Sequence, residues 1–355
     1  MYEILALGAL WFICKKLKET GIPEFLLRIF ALLMCLWLIL GFVAGFDFSY
    51  AEYDLMPFHT AEIIRAVNIN VVIITLFAFL SFLGLSILTK FKPFTKTKTL
   101  LALLLTVCLV AYSMFEAYNV QARHVTVSTK KLPQGTDRLR VVFMTDMHIG
   151  GVNTLTHFEH VMKIVDEAEP DLILLGGDTF DGDLDYRKSE LEMLKAAGEK
   201  ARYGAFAVNG NHEHYIILDV DHERIIRECG YDLLINERRE TAGITIIGLD
   251  DVKYGWITPY LEAKDRERFV LVLKHRPGIP NDAEGNFDLQ LSGHTHGGQF
   301  WPLGYFKDRA LNSVQGLSRK AGGYVYVSNG VGFNAAMMRL FVPPEVTVID
   351  IVREE

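Results

Sequence analysis

Seven side chains of metal-binding type stand directly behind short apolar runs, in five separate places. Asp146 and His148 follow the run Leu139–Thr145. Asp178 follows Asp171–Gly176, with Asp181 three residues on, and Asn211 and His212 follow Tyr203–Asn209. His275 follows Phe269–Lys274, and His294 and His296 follow Phe287–Leu291. Apolar runs of this length, bounded by glycine and polar turns, predict strands. In open α/β sheets, ligands gather beyond the carboxyl ends of the strands. The five loops thus deliver carboxylate, carboxamide and imidazole groups to one rim. That donor set suits Mn, Fe or Zn, and the lack of thiolate excludes an iron–sulfur cluster or a cysteine-based zinc site. Seven donors exceed one tetrahedral site and match two metals roughly 3.5–4 Å apart that share a bridging carboxylate. Such a pair acidifies a bridging water and clamps a substrate oxygen. The glycines at 176, 177, 210, 293, 297 and 298 permit close backbone approach.

The elements that must position these loops alternate. Helical periodicity appears at Leu155–Glu169, Arg187–Ala201 and Asp221–Cys229, between the early strands. Strand–helix–strand order implies parallel pairing through right-handed crossovers. Ile244–Leu249, Tyr324–Ser328 and Val346–Val352 also read as strands. The later strands follow one another closely, which predicts a mixed or second sheet. The run His212-Glu213-His214 lacks the H-E-x-x-H spacing of a metalloprotease helix, and no phosphate-binding P-loop is present. His157 and His160, three apart, read as a solvated helix face. Arg339 reads equally as a phosphate contact and as half of a structural ion pair.

The chain has 355 residues, is 50% hydrophobic and carries a formal charge of −7. Its mean hydropathy is +0.20. The oil is concentrated at one end: Met1–Ala122 holds nine Lys/Arg and eight Asp/Glu, the remainder 27 and 35. This excludes a disordered chain, a disulfide-stapled miniprotein and a strongly basic nucleic-acid binder. Ile29–Phe46, Ala66–Thr89 and Thr99–Phe115 lack any charge over 18, 24 and 17 residues. About 20 apolar residues cross a bilayer core, so three transmembrane helices are expected. Ile4–Cys14 is a candidate fourth. Lys15, Lys16 and Lys18 follow that run, which argues against a cleaved signal peptide. Lys15–Arg28 and Lys90–Lys98 are basic, whereas Asp47–Glu62 holds four acidic residues and no basic one. The positive-inside rule then places the acidic loop and the C-terminal domain outside the cytoplasm. Arg123, Lys130 and Lys131 pull mildly the other way. Cys14, Cys35 and Cys108 lie in apolar segments, and Cys229 stands alone in the C-terminal part.

The ordered set D-x-H, G-D-x-x-D, G-N-H-E, H and G-H-x-H across Asp146–His296 resembles the calcineurin-like metallophosphoesterase superfamily. Ser292–Gln299 (SGHTHGGQ) and the tail with Ser328–Gly332, Arg339 and Pro343-Pro344-Glu345 resemble its bacterial membrane-tethered branch. The apolar runs make 1–122 a membrane region of three to four helices, and the resemblance implies that 123–355 is an α/β metallophosphoesterase domain built as a mixed β-sheet sandwich flanked by helices. It implies that Asp146, His148 and His296 hold one transition metal and Asn211, His275 and His294 the other, with Asp178 between them. Both ions are divalent or trivalent, and Mn, Fe and Zn remain open. His212 then stands beside the leaving-group oxygen as proton donor or charge stabiliser. Asp181 matches the carboxylate that orients His212 or a ligand, with a plain turn cap as the other reading. The implied activity is a membrane-anchored phosphoesterase that cleaves a phosphodiester, such as a lipid or envelope headgroup, by a hydroxide between the metals. Two alternatives stay open. One is a cytoplasm-facing pyrophosphatase acting on a nucleotide-linked acylated sugar in lipid A synthesis. The other is a membrane sensor or transport module with a metallophosphoesterase head. The expected partners are a phosphoester, lipid-linked in the first reading, and the membrane; nucleic acid is not expected, and the oligomeric state is open.

Overall fold

The computed structural model describes residues 2–49, 58–151, 153–181, 184, 187–215, 221–251, 255–302, 304, 314–333 and 336–354. These divide into two compact units, Met1–Phe115 with Ala335–Met338, and Glu116–Asn334 with Arg339–Glu355.

The first unit contains α1 (Tyr2–Lys18), α2 (Glu24–Ser49), α3 (Phe58–Leu88) and most of α4 (Lys96–Tyr118). Three stretches are long and apolar enough to cross a membrane: Glu24–Gly41, Ile63–Leu88 and Lys96–Tyr118. At 17 residues, α1 is shorter than these. Helices suit this solvent because every backbone polar group bonds within its own segment. The hydroxyls follow the same economy: Ser81, Ser86 and Thr106 donate to the carbonyls of Phe77, Phe82 and Ala102, four residues back. Asn68 of α3 is buried where α2 presents Gly41. A Cβ on Gly41 would come within 1.9 Å of the Asn68 side chain, so the missing side chain admits the amide. Residues 50–57, which hold part of the expected acidic loop, lie outside the described residues.

The second unit is a sandwich of two six-stranded sheets. The first sheet uses β1 (Gln121–Thr129), β2 (Arg138–Met144), β3 (Leu172–Leu175), β4 (Ala205–Ala207), β5 (Asp232–Leu233) and β12 (Glu345–Arg353). Their order is β1-β12-β2-β3-β4-β5. Strands β2 to β5 run parallel, β12 is antiparallel to β2, and β1 is parallel to β12. The second sheet uses β6 (Glu237–Thr241), β7 (Ile244–Gly248), β8 (Val270–Leu273), β9 (Leu289–Ser292), β10 (Gly316–Lys320) and β11 (Gly323–Val327). Its order is β10-β11-β9-β8-β7-β6, parallel in the middle and antiparallel at both ends. The expected mixed sandwich is therefore the observed fold.

Alternation along β2 shows why two layers form. Val141 and Phe143 face the inter-sheet core with Leu172, Leu174, Ile246, Leu271 and Leu291. Val142 and Met144 face the helical side. There they meet α5 (Leu155–Ala168) and α6 (Lys188–Lys200) through Val161, Val165 and Leu194. Each such side chain contributes about 1.5–3 kcal/mol by leaving water. Thr154 caps α5 by accepting from His157 N, and its buried positions 157, 158, 161, 162, 165 and 168 repeat at helical spacing. The short α7 (Asn211–Tyr215) and α8 (His222–Glu228) complete the unit. His157 corrects the expectation of a solvated face. It is 2% exposed, donates from Nε2 to the Val331 carbonyl at 2.7 Å, and meets the rings of Tyr118 and Phe333 edge-on. His160, one turn further along, is exposed as expected.

Candidate metal centre

All five loops leave carboxyl ends of neighbouring parallel strands: β2 and β3 with β4 in one sheet, β8 and β9 in the other. The first two loops are laced together by their backbones. Asp146 N–H donates to Gly177 O and His148 N–H to Asp178 O, each at 3.0 Å, and Asp181 N–H to Ile149 O at 2.7 Å. The lacing forces Asp146, His148 and Asp178 into left-handed backbone, with φ of 56°, 49° and 50°. His294 and His296 do the same at 70° and 50°. Asp, Asn and His are the non-glycine residues that tolerate this region best. Two glycines make the close approaches possible. A Cβ on Gly210 would lie 2.2 Å from Asp178 Oδ1, and one on Gly293 would lie 2.3 Å from Asp146 Oδ2.

The donors converge in two groups. Asp146, His148 and His296 present ligand atoms within 4.8 Å of one another, and so do Asp178, His275 and His294. In the first group, His148 Nε2 and His296 Nε2 stand 3.2 Å apart, and His296 Nε2 is 3.3 Å from Asp146 Oδ1. In the second, His294 Nδ1 stands 3.2 Å from His275 Nε2, which is 3.1 Å from Asp178 Oδ2. His275 Nδ1 donates to the Gly176 carbonyl at 2.8 Å, which turns its Nε2 towards the Asp178 carboxylate. Among the described residues, Asn211 Oδ1 is buried and meets no hydrogen-bond donor. A buried acceptor without a donor, beside two clusters of facing ring nitrogens and carboxylates, is what a cation requires. The residues therefore fit a binuclear divalent metal centre.

A third grouping joins His148 and Asp178 to His212. His212 Nδ1 lies 3.1 Å from Asp181 Oδ1, and its Nε2 lies 4.0 Å from Asp178 Oδ2. The other oxygen of Asp181 is 3.4 Å from His148 Nδ1, close enough for an ion pair but without hydrogen-bond geometry, so this carboxylate holds His212 and faces His148. Burial opposes a charge on His212, but the Asp181 hydrogen bond and the Asp178 charge outweigh it and raise the imidazolium to about 9. Burial would raise Asp178, yet the His275, His212 and His148 rings hold it well below the usual carboxylate range. His294 is pushed down to about 3, by burial first and then by the His275 charge. A neutral ring of this kind is ready to ligate.

Glu213, the last residue of the G-N-H-E block, has a structural role. Its two oxygens accept from the backbone N–H groups of Asp178 at 3.0 Å, Thr179 at 2.7 Å, Phe180 at 3.0 Å and Gly210 at 2.7 Å. One carboxylate thus staples the loop after β3 to the loop after β4. The signal in the sequence was an acidic residue closing a metal-ligand block. Arg339 answers neither of its sequence readings. It is fully buried and donates to the carbonyls of Asn329, Gly332 and Val342, with Nη2 3.5 Å from His296 Nδ1. It ties the segment after β11 to the ring of His296.

A family profile for calcineurin-like phosphoesterases matches residues 139–298. A metallophosphoesterase from Aquifex aeolicus is 36% identical over 259 residues, covering 69% of this chain and 97% of its own. One from Helicobacter pylori strain J99 is 30% identical over 221 residues, 59% of each chain. A zebrafish (Danio rerio) transmembrane protein with a metallophosphoesterase domain is 27% identical over 273 residues, 71% of this chain and 62% of its own. The chain belongs to the calcineurin-like metallophosphoesterases, a family of phosphoric ester hydrolases. With its three candidate spans, it is a membrane protein.

Proposed function

We infer that the chain is a multi-pass, membrane-anchored phosphodiesterase with its site outside the cytoplasm, acting on a lipid or envelope-linked phosphodiester. The observation that carries the reading is the pair of donor groups meeting at Asp178, with the braced His212 beside them. Asp146, His148 and His296 would hold one ion, Asn211, His275 and His294 the second, with Asp178 shared. When bound, such ions supply Lewis acidity towards a phosphoryl oxygen and make water a stronger nucleophile at neutral pH. The chain's own groups do the rest. Asp181 fixes the tautomer of His212 by accepting from Nδ1, which leaves Nε2 to hold a proton for the departing oxygen. His275 is oriented by the Gly176 carbonyl. Covalent attachment to apolar helices confines the domain to a membrane surface, which supports a lipid-linked substrate. Lys15, Lys16 and Lys18 at the end of α1, and Lys90, Lys92, Lys96 and Lys98 around the α3–α4 turn, support a cytoplasmic position for that end of the helices.

The full chain in detergent, stripped and refilled with Mn, Zn or Fe, tests the chemistry on a bis-aryl phosphodiester and its aryl monoester. Diester turnover that vanishes in His212→Ala supports the proposal, whereas monoester turnover alone overturns the diester assignment. A reporter fused after Arg353 tests the side: activity only in the cytoplasm refutes the outward orientation and favours the nucleotide-sugar pyrophosphatase.

A further inference from the structure

The helical unit carries a cavity that none of the phosphoesterase chemistry uses. It measures about 330 Å³ and lies among α1, α2, α3 and α4. Leu10, Ile13 and Phe82 form its buried floor, and the exposed Phe30 and Leu103 form its lips. The hydroxyl of Thr75, which lines it, is already spent on Val71 O at 2.8 Å. A cavity so lined stays dry and takes an apolar guest. Along α3 the lining runs from Val71 to Phe82, about 16 Å at 1.5 Å per residue. That is about half of a roughly 30 Å hydrocarbon core, the depth of one leaflet.

One end of the cavity meets a concentration of positive charge. Phe82 stacks on Phe94 of the α3–α4 turn, with ring centroids 5.2 Å apart. Phe94 N–H donates to Glu19 at 2.7 Å, which brings that turn to the turn joining α1 and α2. Leu17, also lining the cavity, lies between Lys16 and Lys18. Glu19 pairs with Lys16, and Glu24 pairs with Lys18 and Arg28. Lys90, Lys92 and Lys96 are exposed and form no ion pair among the described residues. Basic residues at a bilayer surface attract anionic headgroups at about 1 kcal/mol each.

We propose that this is a binding site for an anionic phospholipid, with one acyl chain in the cavity and the headgroup at the lysines of the α3–α4 turn. It rests on the reading of α2, α3 and α4 as membrane-crossing helices. It does not depend on the substrate proposed above.

The test uses the full chain in phosphatidylcholine nanodiscs doped with a phosphatidylglycerol that carries a diazirine on one acyl chain. Crosslinks are mapped by peptide. The expected result is label concentrated on the segments around Ile13 and 71–82, competed by unlabelled phosphatidylglycerol far better than by phosphatidylcholine. Replacing Lys90, Lys92 and Lys96 together by Gln weakens that competition about ten- to hundredfold. Ala78→Phe, which fills the cavity, removes label from those segments while the lysines still favour the anionic lipid at the surface. Label spread over lipid-facing positions such as Leu36 and Leu104 in proportion to their exposure overturns the site, as does equal competition by the two lipids. Alkaline carbonate treatment separates the two ways to fail. Release of the chain defeats the spanning reading and the site with it, and retention with spread label defeats the site alone.

Discussion

Replacing Glu213 by Gln asks whether one carboxylate assembles the centre. The native side chain receives four backbone N–H groups, two on each oxygen. Glutamine keeps one oxygen for two of them and turns an NH2 towards the other two. Hydrogen bonds to a charged group contribute about 1.5–3 kcal/mol each, and an orphaned donor costs about 1–3 kcal/mol. Relaxation and water entry recover part of that loss, so a destabilisation of about 3 kcal/mol is expected. In a unit of this size, 1 kcal/mol moves Tm by about 2–4 °C, so the transition should fall by about 6–12 °C. The assay is thermal unfolding of the metal-stripped full chain in detergent, followed by near-UV circular dichroism. Stripping the metal separates loop stability from ligand loss. Metal content after refilling is the second readout, because Asp178 and Asn211 flank the two stapled loops. A variant within about 1 °C of the parent that still holds two ions would refute the staple.

Three further outcomes follow from the same geometry. His212→Ala should lower turnover by roughly two to four orders of magnitude, as for a lost acid–base group, with metal content kept; unchanged turnover removes its role. Asp178→Asn should release metal, because the shared anionic donor is gone, and two tightly held ions in that variant would contradict the bridge. His157 should make the fold acid-sensitive: burial first, then Arg339 and His160, hold its pKa down to about 4 against an ordinary 6.5. The native state keeps the ring neutral while the unfolded chain takes up its proton. Stability is thus complete above pH 6.5, falls by about 3 kcal/mol as pH drops towards 4, and levels off below. Denaturant titrations at pH 7 and 4.5 should show a smaller difference for His157→Gln, and an equal difference would discount the histidine.

The metal-binding rim was legible because each donor block sits behind a central strand whose two faces are both buried. Such strands read as unbroken apolar runs, as Leu172–Leu175 and Val270–Leu273 do. The strands that escaped notice lie at sheet margins or are minimal. β6 reads ERRET and β10 reads GLSRK, with little apolar content between them. β1 exposes most of its nine residues, and β5 has only two. An edge strand is fixed by ladder hydrogen bonds that leave no hydrophobic pattern. His157 was misread for a related reason. Its helix is amphipathic, but the groups that bury the ring, Tyr118 and Phe333, are distant in sequence. Arg339 escaped because its partners are carbonyls, which carry no residue-type signal.

The position of β12 sets an order on how the α/β unit can be made. It lies between β1 and β2, pairing Gln121 with Glu345 on one side and Val142 with Val348 on the other. More than 200 residues separate the partners on each side, so the sheet is closed by contacts of very long loop length. Until Glu345–Arg353 has left the ribosome, β1 has no neighbour and β2 has an open edge. Pro344 O receives the Gln121 N–H and Gly330 O the Glu345 N–H, so the same late segment also anchors the wall behind Asp146. The metal centre is therefore completed only once Glu345–Arg353 has been made, long after its own ligand loops. A nascent chain stalled before β12 should expose an unpaired strand edge, which makes this stage of synthesis the one most vulnerable to aggregation.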